Sequence, residues 1–323
     1  MEREQKKQLF QKRKVVVLGA MISTILWGSA FPCIKVGYQI FEVGAGDSAS
    51  QILFAGIRFF LAGILTVIFG SLISKRLLIP TKASLPKIGA LALAQTIGQY
   101  IFFYVGLART SAVNGSIISG CTGLFVIIGA CLIFRYEKMT ASKALGCVLA
   151  VAGLVVVNLS GLMAGAGLHL VGDTLMIIST VSSATSSILV KLFSGKEDPI
   201  MLSGYQFAFG GFVMMIVGVL CGGHLARPSA GGVILLIYMA LISSVAYTVW
   251  SVLIKYNNVS RISAFSFLIP VIGTILSAVI LGSDSGLGIM TLIALIFVSA
   301  GIFFINHVKK YDKIKASQEE LKS

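Results

Sequence analysis

Two cations in this sequence stand inside apolar runs that contain no acid to pair with them. Arg58 lies within the run from Gln51 to Ile73, and Lys35 lies near the end of the run from Val15 to Ile40. A charge at the centre of a membrane helix costs about 2.5 to 3.5 kcal/mol on insertion scales, so such residues face protein or water rather than lipid tails. The chemistry on offer is attraction of a carboxylate, with Arg58 in a cavity and Lys35 at its outer rim. The competing reading is that both side chains snorkel to headgroups or bond helix-end carbonyls.

Neutral polar and aromatic residues extend the set. Gln95 and Gln99 lie one turn apart on a single helical face, continued by Phe103, as a cavity wall would require. Hydrogen bonding between helices is the alternative, at about 0.6 to 2 kcal/mol per bond. Ser243, Tyr247 and Trp250 share a face at spacings of four and three, and Trp27 lies mid-span one turn from Thr24. Neither tryptophan sits at the interfacial depth where Trp anchors helices, so both suit an aromatic wall or plain packing. Asn114 either bonds substrate or caps its helix. Gln206 occupies the place of Arg58 in the other half of the chain. Pro32 and Pro270 remove backbone donors within spans and are candidate hinges.

The elements that must position these residues follow from hydropathy and charge. Apolar content of 56% with only 12% charge belongs in a bilayer, not in a soluble domain. A span needs about 20 mainly apolar residues. The runs read as ten helices: Val15 to Ile40, Gln51 to Ile73, Lys87 to Leu107, Ala112 to Phe134, Lys143 to Leu159, Val171 to Phe193, Ile200 to Leu220, Val233 to Ile254, Ile262 to Leu281 and Leu287 to Asn306. Of 26 Lys and Arg, 22 then fall in the N-terminal tail, every second loop and the C-terminal tail. Lys and Arg resist translocation, so both termini are cytoplasmic and the protein is a multi-pass one of the cytoplasmic membrane. The net charge of +14 reflects topology and gives no reason to expect nucleic acid as a partner. Membrane lipids are expected partners, the tail after His307 touching anionic headgroups. The five cysteines are widely spaced and read as free thiols within spans.

Self-similarity divides the chain in two. At a shift of about 148, Arg58-Phe59 with Gly63 matches Gln206-Phe207 with Gly211, and GLVVVN at Gly153 to Asn158 matches GIFFIN at Gly301 to Asn306. SAFPCIK ending at Lys35 matches TSSILVK ending at Lys191 at a shift of 156. The organisation is a basic tail 1–14, a first repeat 15–160, a second repeat 171–307 and a tail 308–323. Five spans per half is odd, so the repeats are inverted in the membrane.

At this point the motifs resemble a known family. WGSAFPCIK at Trp27 to Lys35, IRFFLAG at Ile57 to Gly63 and YVGLARTSAVNGSII at Tyr104 to Ile118 look like the first EamA repeat of the drug/metabolite transporter superfamily. Glu137, Gly146, Gly153, Gly172-Asp173 and Pro270 extend the likeness over nearly the whole chain. The resemblance implies two inverted five-helix repeats, the first four helices of each around a central cavity, and an exporter or facilitator of amino acids or related metabolites. Thr122-Gly123 stands where many relatives carry a proline, and Ser182-Ser183-Ala184 where an aromatic is common.

The expected function is a secondary transporter of neutral or hydrophobic amino acids working by alternating access as a monomer. The alternative is a sugar or phosphorylated-metabolite exchanger, which would want several cations around the cavity; a channel or a structural protein ranks lower. No HExxH, GxSxG, phosphate-binding glycine loop or Cys/His cluster is present, so neither an enzyme, a metal site nor a cofactor is expected. No Asp, Glu or His lies in a span interior, which disfavours proton antiport through a buried acid. Asp173 and Asp284, at the outer boundary, are the acids closest to breaking that rule.

Overall fold

A computed structural model describes residues 2–44, 46–163, 165, 167–227, 229–281 and 288–307. Asp284 and the tail 308–323 therefore lie outside the described residues. Among these residues all regular secondary structure is helical. Nine helices are long and apolar enough to cross a membrane among them: helix 1 (Arg13–Ile40), helix 2 (Ser48–Ser74), helix 3 (Leu85–Leu107), helix 4 (Asn114–Ile133), helix 6 (Leu170–Phe193), helix 7 (Pro199–Leu220), helix 8 (Ala230–Tyr256), helix 9 (Val259–Ile280) and helix 10 (Ile289–Asn306). Helix 5 (Ala141–Val157) is shorter but apolar and completes ten.

Local chemistry sets the helix starts. Asp47 accepts from Ser50 N, Ser111 from Asn114 N, Thr140 from Lys143 N, Asp198 from Ile200 N and Met201 N, and Ser229 from Gly232 N. Each satisfies a donor that the first turn leaves free. The N-terminal tail is itself a polar helix, Glu2–Gln11, which periodicity did not suggest. It docks where Phe10 stacks on Tyr256 at 5.5 Å and its backbone carbonyl accepts from Asn257.

Two helix pairs form the broadest interfaces, 2 with 7 and 5 with 10. Each pairs an element with its counterpart in the other repeat. A Cβ built on Gly63 would meet Ala208 N at 2.3 Å and Gly204 O at 2.6 Å; one on Gly211 would meet Phe60 N at 2.3 Å and Gly56 O at 2.8 Å. The two contact sets are the same set exchanged at a shift of 148. Gly153 against Val298 and Ala294, and Gly301 against Ala150 and Gly146, repeat the relation in the other pair. These reciprocal contacts are the signature of a pseudo-two-fold axis, and the odd number of spans per half places it in the membrane plane.

Between the two pairs, helices 1, 3, 4, 6, 8 and 9 enclose a cavity. Several of them depart from regular α geometry beside it. Helix 3 has a π segment, Ala92–Gly98, and helix 4 another, Gly129–Ile133. Helix 4 also breaks at Cys121, and helix 9 contains a 3-10 turn at Ala264–Phe267. Such irregularities cluster where backbone lines a cavity. The 3-10 turn lies just before Pro270 in helix 9, and none of these irregularities involves Pro32, which helix 1 runs through without a break. At a shift of 148, Thr122 corresponds to Pro270; the helix 4 break survives there with Thr122 Oγ1 bonded to Ser119 O at 2.7 Å. All five cysteines are free, and Cys221, assigned to a span by hydropathy, is exposed at the cap of helix 7.

Candidate functional site

The cavity measures about 590 Å³ and reaches from Lys35, Leu107 and Ala278 at the outer ends of helices 1, 3 and 9 down to Val190 and Ile254. Of the residues singled out in the sequence, Trp27, Lys35, Arg58, Gln95, Gln99, Tyr247, Trp250 and Pro270 line it. Lys35 is exposed at the mouth. Arg58 is 4% exposed and is the residue through which helix 2 reaches the cavity.

Two assignments are corrected. Gln206 is fully buried behind the wall, where its Oε1 accepts from Thr96 Oγ1 at 2.7 Å and its Nε2 donates to Gln95 Oε1 at 3.2 Å. It orients Gln95 and does not face the cavity. Helix 7 packs on helix 2 along its glycine face, which holds this position away from the central space. Asn114 is neither cavity wall nor cap: Ser111 caps the helix, and Asn114 Nδ2 donates to Gly167 O at 2.9 Å and to both Asp173 carboxylate oxygens at 3.3 Å. Asp173 also accepts from Thr110 and from His169 N. The outer end of helix 6 is thereby tied to helix 4, and Asp173 belongs to that corner, not to the cavity.

The centre of the cavity is aromatic. Trp27 meets Tyr247 edge-on at 4.7 Å and Trp250 at 5.0 Å, and the Tyr247 hydroxyl lies 3.4 Å from that of Tyr100. Arg58 leans on this group, its guanidinium carbon 4.4 Å from the Phe59 ring centroid and 6.0 Å from that of Tyr100. Ring faces attract a cation but do not neutralise it. Arg58 has no carboxylate within ion-pair distance among the described residues, and its Nε has no hydrogen-bond partner.

That orphan has company. Among the described residues, six buried side-chain polar atoms lack partners, and five belong to cavity-lining residues: Trp27 Nε1, Arg58 Nε, Gln99 Oε1, Ser119 Oγ and Ser263 Oγ. A buried unpaired group costs about 1 to 3 kcal/mol, and these five come from helices 1, 2, 3, 4 and 9 around the same cavity. Eleven serines line the cavity, most of them unnoticed in the sequence. Serine is common in membrane helices, and only the helix packing shows which ones converge.

The cytoplasmic end is closed. Glu137 Oε2 pairs with Lys143 Nζ at 2.8 Å while its Oε1 accepts from Ser260 N at 3.2 Å, joining helix 4 to helices 5 and 9. Lys191 Nζ donates to the carbonyls of Ile254, Lys255 and Asn257 at 2.9, 3.2 and 2.6 Å. Glu197, on the loop after helix 6, takes Lys87 Nζ at 2.5 Å and Ser84 Oγ at 2.9 Å, and its carbonyl accepts from Lys255. The Lys87 hydrogen bond holds the Glu197 carboxyl below its usual 4.5, outweighing the upward push of burial. A depressed carboxyl stabilises the fold above its unfolded value and loses that contribution as pH falls through the folded one. The melting temperature is therefore expected to drop on acidification below about pH 4.5, more steeply in the wild type than in Glu197→Gln. Parallel pH curves for the two proteins would show that Glu197 contributes nothing.

Residues 14–159 and 170–307 each match the EamA-like transporter family. The uncharacterized transporter YvbV of Bacillus subtilis is 25% identical over 325 residues, 96% of this chain and 97% of that one. The uncharacterized inner membrane transporter YedA of Escherichia coli is 25% identical over 88% of this chain and 87% of its own. A WAT1-related chloroplastic protein of Arabidopsis thaliana is 29% identical over 54% of this chain and 44% of its own. A solved crystal structure shares the fold at a TM-score of 0.71, with 17% identity over 91% of this chain and 96% of that one. With a helical repeat matched in each half and a closed-ended cavity between them, this chain belongs to the EamA-like transporter family of multi-pass membrane proteins.

Proposed function

We propose that the chain moves small carboxylated metabolites, foremost neutral amino acids with apolar or aromatic side chains, across the cytoplasmic membrane by alternating access as a monomer. The observation behind this reading is the buried, acid-free Arg58 beside an aromatic wall. Its guanidinium supplies paired donors for a carboxylate, serine hydroxyls of the lining supply acceptors for an ammonium group, and Trp27, Tyr247 and Trp250 supply apolar surface. No Asp, Glu or His lines the cavity among the described residues, which supports facilitated diffusion or exchange over antiport through a buried acid.

The serine lining favours a second reading, a sugar or phosphorylated-metabolite exchanger, because hydroxyls match hydroxylated solutes. A phosphate group would want more cations than Arg58 and Lys35 provide. A thermal-shift screen of the purified protein decides between them. Leucine and phenylalanine are expected to raise the melting temperature and glucose and glucose 6-phosphate to leave it unchanged; the opposite ranking sinks the amino-acid reading.

A further inference from the structure

Lys191 closes the cytoplasmic side by a bond pattern that the fold also prepares on the other face. Its ammonium sits on the carbonyls of Ile254, Lys255 and Asn257 at the end of helix 8, where the helix dipole is negative. Helix 6 is thereby clamped to helix 8. The repeats supply the counterparts. At a shift of 156, the buried positions Val16, Ala20, Ser23, Thr24, Gly28 and Pro32 of helix 1 fall on the buried positions Gly172, Met176, Ser179, Thr180, Ala184 and Ile188 of helix 6. The same shift takes Lys35 to Lys191. At a shift of 148, Ile88, Leu91, Ala92, Gln95 and Thr96 of helix 3 fall on the buried Leu236, Met239, Ala240, Ser243 and Ser244 of helix 8. The carbonyls under Lys191 then correspond to those of Gly106, Leu107 and Arg109.

We infer that Lys35 and Lys191 are paired gate residues: when the outer side closes, Lys35 docks on the helix 3 carbonyls of Gly106, Leu107 and Arg109, and Lys191 leaves helix 8. Here Lys35 is exposed at the cavity mouth and has no hydrogen bond or ion pair to the described residues, and Leu107 lines the same mouth. The carbonyl end of helix 3 is meanwhile served by Arg109, whose Nη1 donates to Val105 O at 3.0 Å. One lysine is docked and its counterpart is free, as a fold with two interchangeable halves requires of a state open on one side. The inference rests on the alternating-access part of the proposed function and is independent of the substrate.

The test uses the full chain in membrane vesicles, with the native cysteines replaced and one reporter, Ser187→Cys, in the cavity wall. Labelling by a membrane-impermeant maleimide is measured from the cytoplasmic face. Lys191→Met is expected to raise the labelling rate about tenfold, the shift that losing one charge-assisted hydrogen-bond set produces, and Lys191→Arg to raise it less. Lys35→Met alters an exposed side chain, leaves folding intact and lowers the rate by a similar factor. Unchanged labelling in Lys35→Met, or a change in the same direction as Lys191→Met, overturns the paired gate. A reporter unreachable from the cytoplasmic side in every variant overturns alternating access with it.

Discussion

Arg58→Gln lowers the affinity for a carboxylated substrate by about a hundredfold, within the 2 to 5 kcal/mol that truncating a buried hydrogen-bonded charge partner costs. The same change raises the melting temperature of the substrate-free protein. Both effects come from one fact: the guanidinium is desolvated with no carboxylate beside it among the described residues, so its charge is a burden until a ligand arrives. Glutamine keeps some hydrogen-bonding capacity and removes that burden. Arg58→Lys retains the charge but not the fork, so binding falls between the two. A damaged fold would lower stability and binding together; opposite signs identify a ligand-directed cation. Titration of the variant with the best hit of the substrate screen, alongside a melt without ligand, gives both numbers. Equal affinity in the wild type and Arg58→Gln would remove Arg58 from the site.

Gly63→Leu is expected to prevent folding. A Cβ there would lie 2.3 Å from Ala208 N, 2.6 Å from Gly204 O and 2.7 Å from Ala208 Cα, all backbone atoms that cannot swing aside. Helices 2 and 7 would have to separate along their length, a loss upward of about 3 kcal/mol by the scale of overpacking in cores. Gly211→Leu, which meets Phe60 N at 2.3 Å, should be as damaging because it makes the same clash from the other repeat. Gly89, with nothing within 4 Å of its Cβ, is the control that should accept leucine. Yield of monodisperse protein and melting temperature in detergent are the readouts. Normal folding of Gly63→Leu would mean that the two helices do not meet at this face.

The architecture was readable because two independent signals converge on it. Hydropathy located the spans to within a few residues, and the lysine and arginine alternation oriented them. Glycine positions then exposed the repeat, since Gly63 and Gly211 are needed for the same close approach. The cavity wall was partly readable, where large aromatic or charged residues make a span look unusual, as with Trp27, Arg58 and Trp250. It was not readable where the deciding quantity is which way a helix turns. Gln206 and Gln95 look alike in sequence, yet one faces the space and the other stands behind it bonded to Thr96. The π segment at Ala92–Gly98 and the break at Cys121 alter that rotation, and periodicity has no means of showing either. The serine lining was missed for the same reason.

The packing of Trp27 against Trp250 also makes the molecule its own optical reporter. These are the two tryptophans of the sequence, they lie 5.0 Å apart, and both border the cavity. Indole emission from this protein thus originates at the wall alone, with no background from the membrane-facing surface. Its wavelength and intensity follow the polarity of the cavity contents, so occupancy and gate position can be read in unlabelled protein.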